Sequence, residues 1–304
     1  IGGAIQIDRI KVRLNKQVVL ENVVVWDQLG DTVFFLPETK IKLDSYNLKN
    51  KDFVLNQVQL TDPFIYFQED PGGGLNISFL LESLVADTTK PPLKLKVKKI
   101  NIDDGIFRYH TFRATPNIAC FSKDYIQVNQ FQITIDDLYV DSTGFGLQIR
   151  EMEGADVCGF QLKNLNAKLS YSDSGLHGSD IQIETPQSFL ALNNLDLSTK
   201  PDQEQTFLDR LSIRTTIANE SYLSEKDLAY FIPNISGSSV IEIDGKVSMN
   251  QGRLSCEDVD IVNGEFFQLQ GELDIGNLQD IRNSEFTFNL DSLIYYPLYH
   301  KNSL

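Results

Sequence analysis

The sequence predicts an all-β chain: repeated antiparallel hairpins or meanders that form a long curved sheet or groove, with two short inserted helices. Apolar and polar residues alternate with period two along most of the chain, as in residues 131–135 (FQITI) and 286–290 (FTFNL). Such alternation is typical of strands that bury one face and solvate the other. A recurring motif and a set of turn dipeptides support the same fold class.

The motif consists of an apolar residue, two further residues, an apolar residue, one further residue and a third apolar residue. Its copies begin at Leu20, Leu55, Val97, Val128, Leu162, Leu192 and Cys256. Regular self-similarity of this kind indicates a repeat architecture in which each unit buries its apolar face against its neighbours. The step of three residues predicts a bulge or bend where each strand begins. The long interval before Cys256 predicts that one copy is replaced or interrupted.

Turn dipeptides follow three of the copies: Asp62-Pro63, Asp104-Gly105 and Asn263-Gly264. Asp-Gly and Asn-Gly are strong hairpin signals, because both residues tolerate a positive φ. The repeat unit is therefore predicted to be a hairpin or short meander rather than a βαβ unit.

Two segments break the strand pattern and predict short helices. Residues 76–85 (NISFLLESLV) place several apolar side chains on one helical face. In residues 221–233 the helix is expected at about 224–232, where Ser224 and Asp227 resemble a capping box. We expect Leu228, Phe231 and Ile232 to pack as its buried face. The domain organisation predicted from these breaks is 1–90, N-terminal β repeats ending in a short helix and linker, and 91–304, a continuing β-repeat array.

Composition and motifs argue against several functions. The formal net charge of −15 disfavours nucleic acid and disfavours electrostatic docking to an anionic membrane. The histidines (His110, His177 and His300) have no ligand-spaced Cys, Asp or Glu, so we expect no metal site, and we expect no cofactor. No nucleophile, base and orienting group can be assembled from the sequence, so we expect no enzyme.

The repeated apolar stripe is the remaining candidate site. One interpretation is an ordinary sandwich core, and the other is an open groove for an apolar ligand. The predicted groove-lining positions are Val23, Val25, Val58, Leu60, Ile100, Ile102, Phe131, Ile133, Leu165, Leu195, Val259 and Ile261. The residues between them, such as Gln59 and Asn101, are expected on the opposite, solvated side.

Three stretches carry a resemblance to a known family. They are residues 10–67, with the turn formed by Asp27, Gly30, Asp31 and Thr32; residues 75–85; and residues 222–233 with the strands that follow. In their order and spacing they resemble the TamB/AsmA-like family of Gram-negative envelope proteins. The chain has no recognisable membrane anchor and no extended C-terminal region of that family, so it is expected to be an interior fragment.

The resemblance implies a periplasmic segment of a bridge protein that is anchored in the inner membrane in its full-length form. It implies a hydrophobic β-groove that moves phospholipid between the inner and outer membranes, with acyl chains as the bound partner. The alternative is a scaffold or chaperone that assists assembly or translocation of outer-membrane β-barrel proteins. An outer-membrane assembly partner would then bind through regions that this chain does not contain.

Overall fold

The computed structural model describes residues 3–70, 74–79, 93–199, 211–232, 235, 237–250, 252–264, 266–276 and 283–295. Strands make up 72% of the described structure and helix 3%, which confirms the predicted all-β class. The chain divides into two compact units, Ile1–Asp173 and Ser174–Leu304. These units differ from the predicted segments 1–90 and 91–304, because strands on either side of residue 90 pair with each other.

The described residues of the first unit form ten strands. They are β1 (Ala4–Arg13), β2 (Gln17–Trp26), β3 (Thr32–Asn47), β4 (Asp52–Thr61), β5 (Phe64–Gln68), β6 (Lys94–His110), β7 (Tyr125–Asp141), β8 (Gly144–Asp156), β9 (Gln161–Leu162) and β10 (Asn164–Ser172). Side-by-side pairing follows the order β1, β2, β3, β4, β6, β7, β8 and β10, with β5 continuing β4 beyond a break at Asp62-Pro63.

One pairing in the first unit departs from the predicted antiparallel meander. Strands β4 and β5 pair with β6 in parallel, and Asp52 lies opposite Lys94. A parallel neighbour requires the chain to return to the end where it started before entering the next strand. The segment between β5 and β6 makes that return, so β4–β5 and β6 are not joined as a hairpin.

The described residues of the second unit form eight strands and one helix. They are β11 (Gly175–Glu184), β12 (Phe189–Thr199), β13 (Leu211–Ile217), β14 (Tyr222–Ser224), α1 (Glu225–Leu228), β15 (Val240–Asn250), β16 (Arg253–Asn263), β17 (Phe267–Ile275) and β18 (Phe286–Tyr295). All described pairings in this unit are antiparallel. Strands β13 and β14 together fill the position between β12 and β15.

The three-residue step predicts a bulge where each strand begins. Bulges do occur at the polar pairs of the motif, but they lie inside the strands rather than at their starts. In β7 the residues Val128 and Phe131 are three apart, yet they pair with Phe107 and Gly105, which are two apart. The extra residue takes a left-handed conformation at Gln130, with φ 54°. Asn22 in β2 and Asp258 in β16 have the same conformation at the same motif position. Such single residues bend a strand and reset its alternation.

The helix predicted at about 224–232 is much shorter in the structure. Ser224 is its N-cap, as expected, and its side chain accepts a hydrogen bond from the Lys226 N–H at 3.3 Å. The helix ends at Leu228, and the predicted packing face is wrong, because Phe231 and Ile232 are 47% and 48% exposed. A segment of four helical residues is too short to present one continuous apolar side.

Asp227 explains why this segment is held in place without an apolar face. Its Oδ2 accepts hydrogen bonds from the Thr185 hydroxyl at 2.5 Å and the Ser188 hydroxyl at 2.6 Å. The Ser188 hydroxyl in turn accepts a bond from the Ser224 N–H at 2.9 Å. The predicted capping box is therefore wrong, because the Asp227 carboxylate binds the β11–β12 turn instead of the helix N-terminus.

The same region accounts for the long interval in the motif. No copy stands between Leu192 and Cys256, but the strand position itself is occupied by β13 and β14. The helix follows β14, which has a strand on each side, so it does not cover an exposed edge. The other predicted helix, residues 76–85, begins as a helical turn at Ser78 and Phe79, and its remainder lies outside the described residues.

Replacing Asp227 by alanine should lower the free energy of unfolding by about 2–3 kcal/mol, because two buried hydroxyl groups would lose a charged acceptor. Lys226→Ala, one residue away on an exposed side chain, should change it by less than about 0.5 kcal/mol. Urea denaturation followed by circular dichroism measures both. A larger loss for Phe231→Asp than for Asp227→Ala would contradict the assignment.

Candidate apolar binding face

Cross-strand register aligns apolar side chains into a continuous row across the first unit. Residues that lie directly opposite each other on neighbouring strands project from the same face of a sheet. One such row crosses eight strands without a polar member. We call it the first apolar row: Val12, Val18, Ile41, Val58, Ile100, Ile135, Ile149 and Ala167.

A second apolar row runs beside the first, two residues away along each strand except β8, where a bulge makes the step three residues. Its members are Ile10, Leu20, Thr39, Leu60, Ile102, Ile133 and Met152. Thr39 is the polar member of this row. It is 5% exposed, and its hydroxyl has no hydrogen-bond partner among the described residues.

The bulges keep the remaining predicted positions of the first unit on this same face. Phe131 lies two residues before Ile133, and Leu165 lies two residues before Ala167. Val25 aligns through Phe34, Ile65 and Phe107 with Val128, which the β7 bulge keeps on the same face as Phe131. The register therefore brings nine of the predicted lining positions to one face, which we call the apolar face: Val23, Val25, Val58, Leu60, Ile100, Ile102, Phe131, Ile133 and Leu165.

The opposite face of the same strands is mainly polar. Its central row consists of Lys11, Val19, Lys40, Gln59, Asn101, Thr134 and Glu151. Gln59 and Asn101, which alternate with the apolar rows, thus lie where the sequence placed them. We call this side the polar face.

Burial differs along the apolar face. Val23, Val25 and Phe131 are buried, whereas Val58 and Ile100 are half-buried. The other half-buried positions in this unit are Leu60, Ile102, Ile133 and Leu165. All ten residues of β4 are half-buried, although this strand has a neighbour on each side. A second sheet packed on the apolar face would bury alternate residues of a central strand completely.

Phe131 is the best packed aromatic side chain of this face. A Cβ atom placed on Gly105 would lie 2.4 Å from its ring, so the ring rests directly on the glycine backbone. Gly105 and Phe131 are cross-strand partners. The Asp104-Gly105 pair predicted as a hairpin turn is thus wrong: it lies inside β6, and the glycine makes room for Phe131.

The second unit repeats the arrangement on its own strands. A row of apolar residues crosses seven strands: Leu176, Leu197, Ile213, Met249, Leu254, Ile275 and Phe286. Leu195 aligns through Thr215 and Val247 with Cys256. The bulge in β16 keeps Cys256, Val259 and Ile261 on one face, so the three predicted positions of this unit also share a side. Val259 is buried, and Leu195 and Ile261 are half-buried.

On the second unit, the side opposite the apolar row is its polar face. It carries a chain of hydrogen-bonded side chains that the sequence did not reveal. His177 bonds to Asp196 at 2.7 Å and to the Ser174 hydroxyl at 2.9 Å. The residue types match a Ser–His–Asp triad. The histidine and aspartate side chains are 44% and 49% exposed, so the group is open to water rather than enclosed. Only the pairing of His177 with Asp196 across β11 and β12 could have indicated it.

Burial raises the pKa of titratable groups near the His110 end of β6. Burial and a hydrogen bond to Glu69 raise the pKa of Tyr109 to about 12, and burial likewise raises the pKa of Tyr66. Burial, together with the neighbouring Asp156, raises the pKa of the Cys158 thiol to about 11. All three groups are therefore protonated at neutral pH and act as hydrogen-bond donors or packing groups rather than as nucleophiles.

Three further observations bear on function. Among the described residues, no three His, Cys, Asp or Glu side chains are grouped so that they could hold a metal ion. None of the helices in the described ranges has the length and apolar character needed to cross a membrane. The chain matches no protein-family model and no curated protein.

Replacing Thr39 by valine should raise the free energy of unfolding by about 1 kcal/mol, because the substitution removes a buried hydroxyl without a partner at nearly constant volume. Thr215→Val is the matched control. Thr215 is aligned with Leu195 on the apolar face of the second unit, but its hydroxyl donates to the Asn194 carbonyl at 2.7 Å. The control should therefore be destabilising, and calorimetric melts that shift in the same direction for both variants would contradict this account.

Proposed function

We propose that the chain is a non-enzymatic lipid-binding segment whose apolar face holds phospholipid acyl chains. The observation that carries the proposal is the first apolar row, which crosses eight strands with half-buried members in the central strands. By its resemblance to the TamB/AsmA-like family, the chain would act in the periplasm as part of a bridge between inner and outer membranes.

The dimensions of the row suit an acyl chain. Neighbouring strands are about 4.8 Å apart, so the seven intervals of the first apolar row extend about 34 Å along the sheet. The hydrocarbon core of a whole bilayer is about 30 Å thick, and one acyl chain crosses about half of it. Each methylene removed from water contributes about 0.8 kcal/mol. A row of similar apolar sites can hold such a chain without fixing its position, which suits passage along the sheet.

The chemistry of the face supports binding rather than catalysis. The first apolar row contains no titratable or nucleophilic side chain. The Ser174–His177–Asp196 chain lies on the polar face of the other unit, where water reaches it. We therefore propose no hydrolytic role for it, and ester hydrolysis by the purified chain that His177→Ala abolishes would contradict this.

One observation favours the alternative role as a scaffold for outer-membrane β-proteins. All ten residues of β1 are exposed, and among the described residues β1 pairs only with β2. An exposed strand edge can pair with an incoming strand by β-augmentation. Ile5, Ile10 and Val12 would then offer apolar contacts to that strand. Lipid binding is preferred because the apolar rows cross the whole unit rather than only its edge.

The lipid proposal predicts opposite results for neighbouring residues on the two faces. Val58→Arg places a charge in the first apolar row, where burial against an acyl chain costs several kcal/mol. Gln59→Arg places the same charge on the polar face, next along the strand. Binding of a fluorescent phospholipid to the purified chain should fall at least tenfold for Val58→Arg and stay within twofold of the wild type for Gln59→Arg.

Both variants must first show wild-type circular dichroism, so that lost binding is not lost folding. Equal binding by the two folded variants would contradict the proposal. Mass spectrometry of organic extracts from the wild-type chain, purified from bacterial membranes, should detect phospholipid. The same extracts from Val58→Arg should contain much less.

A further inference from the structure

Positive charge is concentrated in three short segments of an acidic chain. Residues 9–16, 40–52 and 94–99 together contain twelve Lys and Arg side chains and only two acidic ones, Asp44 and Asp52. The chain as a whole has a formal net charge of −15. Charge in this protein is therefore strongly uneven, and the overall value hides a basic region.

The register brings the three segments to the same end of the first unit. Gln17, at the start of β2, lies opposite Lys42 of β3, and Asp52 of β4 lies opposite Lys94 of β6. The backbone confirms the alignment, because the Leu43 N–H donates to the Lys16 carbonyl and the Lys94 N–H to the Lys51 carbonyl. We call this end of strands β1 to β6 the lysine end.

Few of these cations are neutralised. Glu21 pairs with Arg9 and Lys11, Glu38 with Lys40, and Asp44 with Lys98 at 3.0 Å. Hydrogen bonding to Lys98 lowers the pKa of Asp44, as bonding to Lys11 lowers that of Glu21. Six lysines have neither an ion pair with a carboxylate nor a side-chain hydrogen bond among the described residues: Lys42, Lys49, Lys51, Lys94, Lys96 and Lys99.

Exposed apolar side chains lie between the cations at the same end. Leu14 precedes Lys16 in the β1–β2 turn and is fully exposed. Leu48, beside Lys49 in the β3–β4 turn, is 70% exposed, and Tyr46 is 63% exposed. Exposed leucine and tyrosine side chains flanked by lysines are typical of protein surfaces that bind a lipid interface.

The opposite end of the same unit has a different character. Its turns and strand ends carry acidic groups: Asp27, Asp31, Glu69, Asp70, Asp124 and Asp156. Leu29 at this end is also an exposed turn-tip leucine, at 89%, but it lies among Asp27 and Asp31 rather than among lysines. The lysine end also holds Asp44, Asp52 and, at the end of β7, Asp141, but lysines predominate there, whereas acidic groups predominate at the opposite end.

We propose that the lysine end docks on an anionic phospholipid bilayer, with Leu14, Tyr46 and Leu48 at the interface and the six unpaired lysines on the headgroup phosphates. The first apolar row reaches this end, because Val12 lies two residues before Leu14 and Val18 lies two residues after Lys16. The docked end is then where acyl chains enter the apolar face. This last step rests on the proposed lipid-binding function, whereas the docking itself is measurable without it.

Flotation of the full chain with vesicles tests the docking. Wild-type protein should float with vesicles of phosphatidylcholine containing 30 mol% phosphatidylglycerol and much less with pure phosphatidylcholine, and 0.5 M NaCl should release it. A triple variant with Lys94, Lys96 and Lys99 changed to Gln should bind at least about tenfold more weakly. Leu48→Ser should also weaken binding, and Leu29→Ser should not.

The control for net charge is a triple variant with Arg108, Arg113 and Lys123 changed to Gln, which removes three cations at the opposite end of the first unit. Its vesicle affinity should stay within twofold of the wild type. The proposal is overturned if the wild type does not bind anionic vesicles, or if both triple variants lose vesicle affinity equally. It is also overturned if the wild type binds DNA or polyphosphate through these lysines but does not bind vesicles.

Different experimental results would refute the docking on vesicles and the binding of acyl chains. Loss of vesicle binding with normal capture of soluble fluorescent phospholipid, in the lysine triple variant, would support docking as a separate step. Vesicle binding by the wild type without any phospholipid capture would support docking and refute the acyl-binding face.

Discussion

The phasing of the bulges is the constraint on which the rest of the structure depends. A strand alternates its side chains with period two, so one added residue sends everything beyond it to the other face. In β7 the pair Asn129–Gln130 adds such a residue, and Val128 and Phe131 stay on the same face. Because neighbouring strands carry matching irregularities, the apolar rows remain aligned across the first unit.

This constraint also decides which residues can be polar. At a bulge the two residues between apolar positions leave the apolar face, which is why Asn56–Gln57, Lys98–Lys99 and Glu257–Asp258 occupy these sites. Some of them bond across strands, as Lys98 does to Asn56 and Asp44.

The sheet keeps its apolar residues and its charged residues on different surfaces. In the first unit the apolar rows lie on one face, lysines are concentrated at one end, and few of the described side chains are fully buried. Stability then comes from cross-strand pairs and backbone ladders and, in the second unit, from the polar network around Asp227. Such a sheet leaves its apolar face available for a ligand.

The sequence predicted the strands, the bulges and the face of the lining residues, because all three depend on local alternation. It did not predict the parallel pairing of β4 with β6, because strand order depends on where a long connection returns. Asp227 was read as a capping residue, since its partners Thr185 and Ser188 are some forty positions away. The lysine end was missed for the same reason: residues 9–16 and 94–99 come to the same end of the first unit only through the register.

Site-specific photocrosslinking would test the central claim most directly. A photoreactive amino acid introduced at Ile102, on the apolar face, or at Asn101, its neighbour on the polar face, reports which side of β6 a lipid touches when the purified chain is incubated with phospholipid vesicles. The account predicts phospholipid adducts at Ile102 and at most a trace at Asn101. Adducts of equal yield at both positions, or only at Asn101, would contradict it.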